Sequence, residues 1–209
     1  MKVLLVDDHA VVREGLKHIL ARMKEKVEIG EAGNADSALK LAQRGHWDCA
    51  LVDIAMPGTS GFELLRQLQR EQPGLPVLIL SMYPEEQYAL RALRAGASGY
   101  LNKESAPEQL LGAIQAILRG EKYLSARMAA QFAATLGPGV ARPRQNELSN
   151  REFLVLGLVA SGQGTNDIAR QLSLSPKTVS TYRSRIMRKL NISNSSQLIA
   201  YAIKNNLTQ

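Results

Sequence analysis

Four short apolar runs, each giving out on a polar residue, constrain this chain more than any other feature. Val3–Val6 runs into Asp7 and Asp8, Cys49–Val52 into Asp53, Val77–Leu80 into Ser81, and Gly99-Tyr-Leu101 is followed closely by Lys103. A continuous apolar run that ends at a polar residue or a Pro-Gly turn suits a strand buried on both faces of a parallel sheet. Between the runs lie segments with helical spacing. They extend from Val11 to about Met23, Ala35 to about Arg44, Gly61 to about Glu71, Glu85 to about Ala95, and from Ser105 to about Arg119. Asn34 is placed to cap the second, Ser60 and Glu63 form a capping box for the third, and Ser105, Pro107 and Glu108 offer cap, first-turn proline and box acid for the fifth. Val27–Glu31 alternates apolar and polar residues and supplies another strand. Strand and helix therefore alternate five times, which predicts an α/β, doubly wound parallel sheet.

In such a sheet, ligands meet the carboxyl edge of the strands. That edge gathers Asp7, Asp8, Asp53, Ser81 and Lys103 if the first, third, fourth and fifth strands are neighbours. Three carboxylates together repel, and a hard cation such as Mg²⁺ relieves them. A hydroxyl and an ammonium opposite would meet the oxygens of a phosphoryl group. The set suits phosphoryl transfer onto a carboxylate, giving an aspartyl phosphate. Taken singly, each residue has a plainer role: Asp7 and Asp8 could cap a helix, Ser81 could bond backbone, and Lys103 could be solvated. Their convergence at one set of strand ends favours the site.

The charge is lopsided. Residues 1–124 carry 15 basic and 16 acidic side chains, whereas residues 125–209 carry 11 and 3. A compact basic segment points to nucleic acid or another polyanion. The single Cys49 allows no intramolecular disulfide and fits a reducing, cytoplasmic setting. No secretory signal and no membrane span is expected, since no apolar stretch approaches the roughly 20 residues a span needs.

After Arg119 the composition shifts. Leu124–Leu136 is Ala-rich and helix-compatible, and Gly137–Asn146, with two prolines and two glycines, is expected to be a flexible linker. The expected domains are 1–120, a connecting helix and linker over 121–146, and 147–209. The last domain is predicted as four short helices: Ser149 and Glu152 box the first, which runs to about Ala160; Thr165 caps Asn166–Leu172; Ser175 and Pro176 open Lys177 to about Leu190; and the fourth spans about Ser195–Lys204. Within the third, Val179, Ile186 and Leu190 face inward, leaving Lys177, Arg183, Arg185, Arg188 and Lys189 for solvent. Two short helices with a tight connection, the second strongly basic, predict a helix-turn-helix whose second helix enters the major groove.

The stretches Leu4-Leu-Val-Asp-Asp-His9, Leu51-Val-Asp-Ile-Ala-Met-Pro-Gly58 and Gly99-Tyr-Leu-Asn-Lys103 resemble the receiver domain of two-component response regulators, over about residues 1–120. Leu148–Glu152, Asn166–Ala169 and Leu174–Tyr182 resemble the LuxR-type helix-turn-helix, so the whole chain resembles the NarL/FixJ family. The resemblance implies a flavodoxin-like strand order 2-1-3-4-5. It implies that Asp53 accepts phosphate from a sensor histidine kinase; that Asp8, Asp53 and the Ala55 backbone carbonyl bind Mg²⁺, with Asp7 acting through water; that Ser81 and Tyr100 are a switch pair whose hydroxyl moves to the phosphoryl group as the ring turns inward; and that Lys103 bonds that group. Where many receivers carry a proline after the lysine, this chain has Glu104, so a cis bond is not expected. Ser180, Thr181 and Ser184 would face base edges, and Lys177, Thr178, Arg185, Arg188 and Lys189 would lie along the DNA backbone. The resemblance implies that part of the last helix, through Leu198, Tyr201 and Ala202, forms the contact of a homodimer on promoter DNA; packing into the domain's own core is the other reading of the same apolar stripe. The protein would be a cytoplasmic phosphoprotein that regulates transcription, not an enzyme. Two alternatives remain: a phosphatase-like hydrolase, disfavoured because Ala55 stands where a second acid is usual, and a DNA-binding regulator that uses its receiver only as a dimerisation module.

Overall fold

The computed structural model describes residues 1–135, 144–205 and 207, which fall into two compact units divided after Thr135. In the first, strands β1 (Lys2–Val6), β2 (Glu28–Ala32), β3 (Cys49–Asp53), β4 (Val77–Ser81) and β5 (Gly99–Asn102) form one parallel sheet in the order β2-β1-β3-β4-β5. Helices α1 (Ala10–Leu20), α2 (Ala35–Arg44), α3 (Gly61–Glu71), α4 (Glu85–Arg94) and α5 (Ala106–Leu118) alternate with the strands. The expected fold is present, and the central strands β3 and β4 are buried along their whole length. Val3, Leu5, Leu51, Leu78 and Leu80 pack with Leu110, Ala113, Ile114 and Ile117 of α5 in one core.

Local capping agrees with the sequence at Asn34 and Ser60, whose side chains accept from the N–H groups of Ser37 and Glu63. At Ser105 it does not. The chain makes a 3₁₀ turn over Lys103–Ser105, the Asn102 side chain accepts from the Glu104 N–H, and Ser105 caps nothing. No cis peptide occurs among the described residues.

A larger correction concerns residues 121–135, which belong to the first unit rather than to a linker. Tyr123 pairs with Gly99 as a one-residue extension of the sheet: the Tyr123 N–H donates to Ser98, and the Tyr100 N–H donates to Tyr123. Helix α6 (Ala126–Thr135) follows, with Met128 buried, the Ser125 N–H held by Glu85 at 2.9 Å and Arg127 paired with Glu86 at 3.0 Å. Strands signal themselves by runs of apolar residues, and a bridge of one tyrosine has no run to read. The predicted flexible linker lies largely outside the described residues, and its last residues belong to a 3₁₀ turn over Arg144–Glu147.

The second unit contains α7 (Asn150–Ala160), α8 (Thr165–Gln171), α9 (Pro176–Leu190) and α10 (Ser195–Lys204), the four helices expected. Ser149 and Ser175 cap as predicted. Gly164, not Thr165, is the N-cap of α8, because the Thr165 hydroxyl accepts from Arg183 instead. Asn191 ends α9 in the left-handed conformation (φ 58°), which asparagine tolerates better than most residues.

Candidate functional site

The parallel register brings β1, β3, β4 and β5 to one edge, where Asp53 lies opposite Leu80 and Ser81 opposite Asn102. The Lys103 ammonium lies 2.8 Å from Asp53 Oδ2 and 2.6 Å from Asp7 Oδ2. Asp7 and Asp53 are almost wholly buried, and Asp8 is partly open to solvent. Burial raises the Asp53 carboxyl above its ordinary range, against the opposing pull of Lys103. For Lys103 burial works the other way, yet the two carboxylates outweigh it and hold the ammonium more firmly protonated than a free lysine. Asp53 is thus a desolvated carboxylate that shares one cation, Lys103, with Asp7.

Asp7, Asp8, His9 and Asp53 each offer a ligand atom, and all four atoms lie within 4.8 Å of one another. Asp7 Oδ2 and Asp8 Oδ1 are buried; the Lys103 ammonium lies 2.6 Å from the first and His9 Nδ1 3.0 Å from the second. Oxygen donors of this kind fit a hard divalent cation. The Ala55 N–H donates to Asp53 Oδ1 at 3.3 Å, which fixes the turn on which the Ala55 carbonyl sits.

Ser81 and Tyr100 are fully buried, and both side chains bond to the backbone of Tyr83. Ser81 Oγ accepts from the Tyr83 N–H at 3.1 Å, and the Tyr100 hydroxyl donates to the Tyr83 carbonyl at 2.7 Å. The ring therefore stands inward, and burial raises its phenol well above the usual range.

Two supporting residues were not legible in the sequence. A Cβ on Gly61 would collide with the Asp53 carbonyl oxygen, so only glycine lets α3 start against β3. Arg13 Nη1 donates to the Asp7 carbonyl at 2.7 Å while Nε pairs with Glu31 at 3.2 Å, tying the acidic turn to α1 and β2.

Residues 3–115 match the response regulator receiver domain family, and residues 146–202 match the luxR family of bacterial regulatory proteins. The chain is 36% identical to the response regulator UvrY of Escherichia coli over 208 residues, covering 99% of this chain and 95% of that protein. Among solved structures it is similar to the RcsB response regulator of Salmonella typhimurium, with TM-score 0.72, 27% identity, and coverage of 100% of this chain and 98% of that one. It is also similar to RcsB of Salmonella enterica serovar Typhimurium bound to a promoter in the presence of the phosphomimetic BeF₃⁻, with TM-score 0.59, 26% identity, and coverage of 96% and 97%. This chain belongs to the NarL/FixJ family of two-component response regulators. It is a transcriptional regulator with a LuxR-type DNA-binding domain, not an enzyme.

In the DNA-binding unit of this response regulator, the cations predicted as one solvent-facing set divide in two. Lys177, Arg185 and Arg188 are exposed and make no ion pair among the described residues. Lys189 instead pairs with Glu152 at 2.6 Å and donates to the Glu147 carbonyl, joining α9 to α7. Arg183 donates to Thr165 and Ser195, cross-bracing α8, α9 and α10. Ser180, Thr181 and Ser184 are exposed along α9, with the Thr181 and Ser184 hydroxyls donating to carbonyls one turn back. Thr178 bonds Ser175 in the cap. The expected dimer contact needs revision: Leu198 and Ala202 are fully buried in their own unit, and the Tyr201 hydroxyl donates to Gln145 at 3.1 Å. Ile203, 57% exposed, is the large apolar side chain that α10 leaves outside. A short helix spends its apolar stripe on its own core first, and helical spacing alone does not say which residue is left over. No helix among the described residues is long and apolar enough to cross a membrane.

Proposed function

We propose that a sensor histidine kinase phosphorylates Asp53 and that the aspartyl phosphate shifts this regulator toward a dimeric, promoter-binding state. The observation that carries the proposal is Lys103 bridging Asp53 and Asp7 in a buried pocket. An Asp53 oxygen attacks phosphorus as the bond to the donor's histidine nitrogen breaks, and the phosphoryl group passes to the carboxylate. Lys103 keeps its proton and exchanges a carboxylate oxygen for a phosphoryl oxygen. Asp8, Asp53 and the Ala55 carbonyl would hold Mg²⁺ directly, and Asp7 through water. When bound, that ion supplies the positive charge that lets a phosphate approach three carboxylates.

Ser81 Oγ accepts from the Tyr83 N–H, so a turn of its hydroxyl toward the phosphoryl group would pull on the entry to α4. Glu85 in the first turn of α4 holds Ser125, and Tyr100 holds Tyr123, so the segment leading to the DNA-binding unit is fastened to the switch. Phosphorylation would be transmitted through these bonds as a population shift. On DNA, Lys177, Arg185 and Arg188 would meet phosphates, Ser180, Thr181 and Ser184 would face bases, and the Ile203 side of α10 would meet a second copy. Such a protein would work in the cytoplasm.

The alternative is a regulator that binds DNA constitutively and uses its receiver only to dimerise. Light scattering and promoter-fragment binding, with and without BeF₃⁻, separate the two. Phosphorylation control predicts that BeF₃⁻ raises dimer content and DNA affinity in wild type and does neither in Asp53→Asn. Equal affinity in all four samples supports the constitutive reading.

A further inference from the structure

His9 occupies the N-cap of α1, yet its side chain makes no capping hydrogen bond. The ring turns instead to the acidic pocket, with Nδ1 3.0 Å from Asp8 Oδ1 and 3.4 Å from Asp7 Oδ1, while the His9 N–H is held by Asp7 Oδ1 at 2.9 Å. The backbone is therefore fixed and the ring, 65% exposed, is free to adjust. Around an octahedral ion with bonds of about 2.1 Å, ligand atoms stand about 3 Å apart when adjacent and about 4 Å apart when opposite. The Asp8, His9 and Asp53 donor atoms lie within 4.8 Å of one another, little more than the distance across that sphere.

We propose that His9 is a direct nitrogen ligand of the divalent cation in this pocket and that it biases the site from Mg²⁺ toward a first-row transition metal such as Mn²⁺. The proposal rests on the reading of the pocket as a metal site. Mg²⁺ prefers oxygen donors and gains little from an imidazole. Mn²⁺ has the same charge and takes nearly the same octahedral sphere, and a nitrogen donor favours it and the later first-row metals increasingly. Three carboxylates alone would bind both ions through oxygen, so discrimination between them falls to the imidazole. Replacing His9 by Asn keeps a polar N-cap residue and removes only the nitrogen donor.

Pulsed electron paramagnetic resonance on the full chain loaded with Mn²⁺ reads the ligand directly. The expected spectrum carries a ¹⁴N coupling of a bound imidazole that disappears in His9→Asn, and the preference for Mn²⁺ over Mg²⁺ in a competition titration falls about tenfold in that variant. Mn²⁺ binding that is lost in Asp8→Asn but shows no ¹⁴N coupling in wild type would overturn the role of His9 and leave the metal site standing. Mn²⁺ binding indifferent to Asp8→Asn would overturn the metal site itself. Because the spectrum of wild type decides the first point, the conclusion does not depend on how the variants fold.

Discussion

The Tyr100 hydroxyl donates a 2.7 Å hydrogen bond to the Tyr83 main-chain carbonyl, so the side chain at the start of β5 is anchored to the turn that leads into α4. Tyr83 in turn stacks on Tyr88 with ring centroids 4.8 Å apart. The buried aromatic path runs from the strand end to the helix. Tyr100→Phe keeps the ring and removes the anchor, and the Tyr83 carbonyl keeps the more distant Asn102 amide at 3.5 Å. It is expected to cost about 1 kcal/mol and to speed hydrogen exchange over residues 82–90, while phosphorylation of Asp53 persists. Unchanged exchange there would separate Tyr100 from the turn.

Lys103 is the one ammonium shared by two buried carboxylates. Lys103→Met is expected to destabilise the first unit by about 2–4 kcal/mol, because it leaves those charges uncompensated. Adding Asp53→Asn should recover part of that loss, since one of the stranded charges is gone. Chemical denaturation of the two single variants and the double variant measures the coupling, and additive losses would contradict the geometry at 2.6 and 2.8 Å.

Gly61→Ala tests how closely α3 abuts β3. The new Cβ meets the Asp53 carbonyl, which belongs to the strand backbone and cannot swing aside. A loss of about 2–3 kcal/mol and a sharp fall in the rate of phosphorylation are expected. An alanine tolerated on both counts would refute that close contact.

Glu152 and Lys189 give the second unit a pH dependence. Burial alone would raise the Glu152 carboxyl, but the Lys189 ammonium and the Ser149 N–H outweigh it and hold it below the usual glutamate value. A lowered folded pKa means the stabilisation is complete above the unfolded value near 4.5 and drains away as pH falls through the lower folded value. Lys189→Met should cost about 1–2 kcal/mol at neutral pH, discounted for the partly exposed ammonium, and flatten the acid limb of the denaturation curve. Lys177→Ala should leave stability alone and lower the salt slope of DNA binding by about one.

The sheet, its helices and the acidic edge were legible because each rests on a repeated pattern: apolar runs such as Cys49–Val52 ending at one face, and boxes such as Ser60 with Glu63. Single contacts were not. Nothing in the spacing of Lys189 tells that it will find Glu152, 37 residues earlier, rather than solvent. Nothing marks Tyr123 as an edge partner of Gly99, or Gly61 as a point of close approach, since each depends on a neighbour brought in by the fold. Leu198 and Ala202 were misplaced for a related reason. An apolar stripe announces burial and leaves open whether the same chain or a second copy supplies it. The family resemblance named residue roles, and the geometry then showed which of those side chains are already committed elsewhere.

Whether Asp53 is the phosphoacceptor is decided by intact mass, recorded after incubating the full chain with Mg²⁺ and a small-molecule phosphodonor. A gain of one phosphoryl group is expected in wild type and none in Asp53→Asn. A phosphoryl group retained by Asp53→Asn, or none taken up by folded wild type from either the donor or a phosphorylated histidine kinase, would contradict that role.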